Sequence, residues 1–134
     1  MKIGYFCNTT NWEKKSHTQI LEETRNIATY CDKNKWESIW FTEHHFNHEG
    51  MENCSNPLMM STDIAARTKN IRIGQAANII TFHNPLRLAE DIATLDHLSN
   101  GRLEVGVGRG VYGREAIHMN VEADLKDQAK NKRL

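Results

Sequence analysis

Residues 71–107 read IRIGQAANIITFHNPLRLAEDIATLDHLSNGRLEVGV. Ile71 to Thr81 is an apolar run built on isoleucine and reads as a strand. Asn84-Pro85 then supplies an N-cap and a proline at the first helical position. Leu88, Ala89, Ile92, Leu95 and Leu98 recur at helical spacing and make one apolar face. Asn100-Gly101 is a C-cap signal, and Arg102 to Val107 reads as the next strand. A strand, a helix and a strand in this order form a βαβ unit, whose strands run parallel with a right-handed crossover.

The same unit repeats toward the N-terminus. Lys2 to Cys7 is a short apolar run of strand length. Ser16 and Gln19 have capping-box spacing, and Ile20, Thr24, Ile27, Ala28 and Cys31 follow as a buried stripe ending near Asp32 to Lys35. Ser38 to Thr42 reads as a strand. Glu43 to Asn56 is polar and irregular, a long loop of the kind that often carries function. Asn56-Pro57 repeats the helix start, with a helix over Leu58 to Thr68. Gly108 to Asn120 reads as a loop, and Val121 to Leu134 as the start of a polar helix. The pattern is therefore β-α-β-α-β-α-β and a partial helix, an α/β chain with a parallel sheet. An open doubly wound sheet and a (β/α)8 TIM barrel both fit. A full barrel takes roughly 250 residues, so a 134-residue chain is expected to hold only the N-terminal four or so βα units. No linker breaks the composition, and residues 1–134 are expected to form part of one domain, with a truncation point at Leu134.

Lys plus Arg and Asp plus Glu each number 17, so the formal net charge is zero. That balance gives no electrostatic case for nucleic acid or an anionic membrane. No apolar run approaches the roughly 20 residues of a membrane span. The opening MKIGYFCNTTNWEKK lacks the apolar core of a secretory leader. Cys7, Cys31 and Cys54 are odd in number and widely spaced. Reduced thiols in a cytoplasmic protein are expected.

In either architecture, ligands sit at the C-terminal strand ends. Polar groups gather there: Glu43, His44, His45 and His48 after the second strand, Asn78 and His83 around the third, Arg109 and Tyr112 after the fourth. A histidine at a strand end suits acid/base work near neutral pH. His45, His48 and Glu49 also raise a metal reading, which lacks an H-E-x-x-H helix or a second ligand cluster. Ordinary loop hydrogen bonding is the plain alternative. Gly108-Arg-Gly110-Val-Tyr-Gly113 matches G-x-G-x-x-G but follows the fourth strand, without the second strand and acid a dinucleotide site needs. Its glycines still allow close backbone approach to a flat or phosphorylated ligand, with Arg109 available to an anion or to a surface salt bridge. Ala76-Ala77-Asn78 interrupts the isoleucines with small side chains, leaving room for a ligand or for a neighbouring strand.

Four segments together carry a family resemblance. Trp40-Phe-Thr-Glu-His44-His45-Phe46 resembles the W-x-x-E-H-H-F run of the luciferase-like flavin monooxygenases. His83-Asn-Pro85-Leu-Arg87-Leu-Ala89-Glu90-Asp91 resembles their H-P-x-R-x-A-E-D helix start, Leu95-Asp96-His-Leu-Ser99-Asn-Gly101-Arg102 their L-D-x-x-S-x-G-R segment, and Gly106-Val-Gly-Arg109-Gly110 their G-x-x-R-G turn. Order and spacing agree from Met1 to about Asn120. The resemblance implies a TIM barrel that binds reduced FMN, or in some branches a deazaflavin, and uses O2 to oxidise a small organic substrate. It gives acid/base work to His44 and flavin contacts to Thr42, Ala76, Ala77, Gly108, Arg109, Val111 and Tyr112. It further implies a non-proline cis peptide at Ala76-Ala77 beneath the flavin and a dimer through the helix over residues 84–98. Gly108 stands where the light-emitting branch has a reactive cysteine, so no thiol chemistry is expected there. Family members draw part of the flavin phosphate site from the second half of the barrel. A non-catalytic flavin-binding protein or inactive fragment, and an unrelated nucleotide-binding α/β domain, are the competing readings.

Overall fold

The computed structural model describes residues 1–46 and 54–121. His48, Glu49 and nearly all of the helix expected over Val121 to Leu134 lie outside the described residues. Within them the order is β1 (Gly4–Cys7), α1 (His17–Lys33), β2 (Ser38–Phe41), α2 (Pro57–Arg67), β3 (Arg72–Ile79), α3 (Pro85–Leu98), β4 (Leu103–Gly108) and α4 (Gly113–His118). The four strands form one sheet in the order β1-β2-β3-β4, with every neighbouring pair parallel. Consecutive parallel strands, each reached through a helix, are the arrangement of a partial (β/α) barrel.

Local chemistry sets the helix ends. Ser16 Oγ accepts from Gln19 N while Gln19 Oε1 accepts from Ser16 N, a closed capping box. Asn56 accepts from Met59 N, and Asn84 accepts from both Leu86 N and Arg87 N, each ahead of a proline. Asn100 and Gly101 both take positive φ after α3, and Gly101 N donates to Asp96 O. Arg102 then fixes the helix ends to one another. Its Nε donates to Ser99 O, and its two Nη groups reach Thr68 Oγ1, Ile71 O and Ala65 O. The S-x-G-R segment is thus structural in this chain.

Registered rows across the sheet separate two faces. Ile39, Ile73 and Leu103 lie in one row and are buried with Ala28, Cys31, Leu58, Ile64, Leu88 and Leu95 from the helices. The adjacent row holds Phe6, Trp40, Gly74 and Glu104. Phe6 there is 58% exposed. The Trp40 ring lies across Gly74, where a Cβ would come within 2.3 Å of Trp40 Cε3. The three free thiols are buried, and burial pushes that of Cys54 up to about 12.

Several expectations change. β3 stops at Ile79, and Ile80–Phe82 turn as a 3-10 helix rather than extending the strand to Thr81. Glu43 accepts from the Ile79 N–H there, ending the ladder. On α3 only Leu88 and Leu95 are buried, so the apolar face is narrower than its periodicity suggests. Ala89 and Leu98 are exposed. The loop expected over Gly108 to Asn120 contains α4.

Asp32 shows how one side chain holds a connection. Its carboxylate accepts from Lys69 N, Asn70 N and Ile71 N at 3.1, 2.8 and 2.7 Å, pinning the entry to β3 against the end of α1. Burial alone would raise this carboxyl, but the donors of Ile71, Lys69 and Asn70 and the Arg102 charge outweigh it and hold it below the ordinary 3.8. A carboxyl held down in the folded state contributes stability above its unfolded pKa and loses it as pH falls through the folded value. Asp32→Asn is therefore predicted to cost about 1 kcal/mol near neutral pH. Urea unfolding across pH checks it: the two proteins should converge in acid below pH 3.8.

Candidate active site

The C-terminal ends of β2, β3 and β4 converge on a depression of about 340 Å³. Glu43, His44, Ala76, Ala77, Ile79 and the turn from Gly108 to Val111 line it. Six of the eight expected site residues meet here: His44, Ala76, Ala77, Gly108, Arg109 and Val111. Tyr112 lies outside the lining and sets its ring against that of His44, with centroids 5.4 Å apart. Thr42 is buried behind the site, its hydroxyl 3.4 Å from Asn8 Oδ1. Thr42 is not among the residues that line the depression.

The floor is made by a break in β3. The Ala76–Ala77 peptide is cis, and the ladder with β4 slips between Gln75 and Asn78. Side-chain amides stand in for the lost backbone pairing. Gln75 Nε2 donates to Ser61 Oγ at 2.9 Å, and Asn78 Nδ2 donates to Gln75 Oε1 and to Gly106 O. All three side chains are buried, so each needs such a partner. Opposite the break, a Cβ on Gly106 would sit 2.1 Å from Gln75 O. A Cβ on Gly108 would lie 3.3 Å from that of Ala77. The small residues of β4 therefore let the backbone fold onto the irregular segment.

Glu43 anchors the rim. Only 2% exposed, it accepts from Ile79 N at 2.7 Å through Oε2. Its Oε1 lies 3.0 Å from both His45 Nε2 and His83 Nε2. An ionised carboxylate only accepts, so both rings donate from Nε2. One carboxylate thus ties the ends of β2 and β3 and the turn before α3. His45 is further wedged by the edge of Phe82, with centroids 5.6 Å apart. Its ring contacts Glu43 through Nε2, and the other two residues of the metal reading, His48 and Glu49, lie outside the described residues. Among the described residues no group of three His, Cys, Asp or Glu could hold a metal ion.

One site residue, Glu115, and one pairing, Glu43 with His83, escaped the sequence reading. Glu43 and His83 stood among the strand-end polar groups, but their mutual contact spans 40 positions and no local spacing announces it. Glu115 gave no signal, because its helix was not expected. α4 is six residues long and Tyr112 gives it no side-chain cap. Tertiary contacts hold it instead: Glu115 Oε1 accepts from His45 N at 2.6 Å, and His118 packs on Phe46. Arg109 is exposed, with no ion pair among the described residues, so the surface salt-bridge alternative gains no partner there.

A parallel βα arrangement with a small-residue floor and histidines at its strand ends is that of a partial (β/α) barrel, a fold whose ligand sites lie on the C-terminal face. The family model for luciferase-like monooxygenases matches residues 1–131, and the chain belongs to that family. The alkanal monooxygenase alpha chain of Photorhabdus laumondii subsp. laumondii is 29% identical over 115 residues, which is 86% of this chain and 32% of that protein. Monooxygenase RslO1 from Streptomyces bottropensis superposes with a TM-score of 0.85 at 30% identity, over 96% of this chain and 39% of that one. The oxygenating constituent of 3,6-diketocamphane monooxygenase from Pseudomonas putida, solved with FMN, has a TM-score of 0.86 at 24% identity and shares the fold over 98% of this chain and 37% of that one. The chain thus spans about a third of the length of the curated relatives it matches.

Gly106→Ala is predicted to cost about 3 kcal/mol, because its methyl meets backbone rather than a movable side chain. Chemical denaturation checks this, with Gly101→Ala as the contrast. Gly101 has open space around it and should show only the backbone cost of its positive φ, about 1 kcal/mol.

Proposed function

We propose that residues 1–134 form the N-terminal part of a single TIM-barrel domain of an FMN-dependent monooxygenase. The enzyme would use reduced FMN and O2 to oxidise a small organic substrate, aldehyde-like or other. The observation carrying this reading is the meeting of His44, Ala76, Ala77 and Gly108 to Val111 around one depression at the strand ends. The residues fit a flat flavin ring. Ala76, Ala77 and Gly108 project almost nothing above the floor, and an exposed Arg109 offers a cation to an anionic portion. When bound, the reduced flavin supplies the electrons that activate O2.

The chain's own residues do the rest. The Ala76–Ala77 segment, Gly108, Val111 and Tyr112 would hold the flavin. Tyr112 also bears on His44, coupling the cofactor wall to the acid/base group. His44 holds or moves a proton at the rim. Thr42, at the end of β2, belongs to the same flavin-binding set. FMN is favoured over a deazaflavin by the resemblance to the alkanal monooxygenase alpha chain. The exposed Leu86 and Leu98 of α3 favour a dimer through residues 84–98. No helix among the described residues is long and apolar enough to cross a membrane, and a cytoplasmic setting suits the reading.

Backbone NMR during titration with FMN tests the site. Shifts should concentrate at His44, Ala76 to Asn78 and Gly108 to Tyr112, and Arg109→Ala should weaken binding by about tenfold, the loss of one charge-assisted contact. No shift at millimolar FMN, or the same residues responding to NAD(P) instead, would overturn it. In the polypeptide carrying this sequence, His44→Ala should keep FMN binding and lose at least about 100-fold in oxygen-dependent turnover.

A further inference from the structure

We infer that Glu115 is a positioning residue that fixes the tautomer of His44, holding its proton on Nδ1 and leaving Nε2 as the basic nitrogen. The inference rests on the reading of His44 as the acid/base group. Glu115 is 1% exposed, although α4 is one short turn at the surface. Its Oε1 accepts from His45 N at 2.6 Å and lies 3.4 Å from His44 Nδ1. Oε2 is buried with no hydrogen-bond partner among the described residues. A carboxylate so buried requires compensation by donors or by positive charge, and His44 Nδ1 faces its Oε1 across 3.4 Å. The Tyr112 ring bears on His44 from the preceding residues of the same turn, so the imidazole is held by two groups three residues apart in α4 and its cap.

A ring held this way has its proton assigned by the acceptor beside Nδ1. The second carboxylate of the site, Glu43, is engaged by Ile79 N, His45 and His83. The two carboxylates thus do different work: Glu43 draws protons onto the Nε2 atoms of His45 and His83, whereas Glu115 draws one onto the Nδ1 of His44. Neighbouring histidines in one sequence motif are thereby given opposite tautomers.

Nitrogen-15 NMR of the imidazoles in the chain, at a pH where the rings are neutral, tests this without cofactor or turnover. His44 should show Nδ1 protonated, and His45 and His83 Nε2 protonated. Glu115→Ala should move His44 to a tautomer mixture while leaving His45 and His83 unchanged. Glu115→Gln, which keeps an acceptor oxygen, should restore the Nδ1 form. A wild-type His44 protonated on Nε2 overturns the inference, as does an unchanged tautomer in Glu115→Ala. The wild-type spectrum decides even where the alanine variant does not fold. Failure of FMN binding leaves this readout intact, so the two readings fail separately.

Discussion

The C-terminal end of the sheet depends on one buried carboxylate. Glu43 sits where β2 ends and reaches sideways to the end of β3. A carboxylate taken from water costs several kcal/mol unless donors replace its hydration. Here the donors are a backbone N–H and two imidazoles from different segments. Satisfying the charge therefore fixes three pieces of chain at once. The end of β3, the approach to α3 and the His44-His45 pair take their places around the same oxygen atoms. His44 is carried to the rim because its neighbours on both sides, Glu43 and His45, are committed inward.

The second constraint is steric. β3 departs from regular pairing across Ala76 and Ala77, and only residues without bulk permit β4 to follow it. Gly106 lies on Gln75 O, Gly108 faces Ala77, and Gly110 takes a positive φ against Ile79. The result is a floor without side chains, framed by polar ones. A helical face cannot provide that surface, since side chains project all around a helix. A strand with a break in it can. Gly74 under Trp40 repeats the device one turn of the sheet away, where it lets an aromatic ring lie flat across the inner face.

Much of this was legible in the sequence, and the legible parts were local. Asn56-Pro57, Asn84-Pro85, Ser16 with Gln19 and Asn100-Gly101 announce helix ends, because capping is chemistry between residues two to four positions apart. The parallel sheet followed from the alternation of runs. The small residues at Ala76 and Ala77 were visible as an anomaly in an isoleucine strand, and motif resemblance gave them a purpose. Less legible was whatever depends on distant partners. The bond between Glu43 and His83 joins segments 40 positions apart. α4 has neither a side-chain cap bond at its start nor an apolar stripe, and is held by the contacts of Glu115 and Tyr112 with the β2 loop. The contact of Thr42 with Asn8, 34 positions apart, likewise has no local signal. The breadth of the α3 face was overread, since periodicity reports which residues could share a face and not how much of that face a neighbour covers.

Glu43 holds the end of β3, and the Ile79 amide reports on it directly. Amide hydrogen exchange at Ile79 should be compared in the wild-type chain and in Glu43→Ala, with Ile73 as the reference within the same strand. Ile79 should be strongly protected in the wild type and should lose that protection selectively in the variant while Ile73 stays protected. Equal protection of Ile79 in both proteins would contradict it, because the strand end would then be held by something other than this carboxylate.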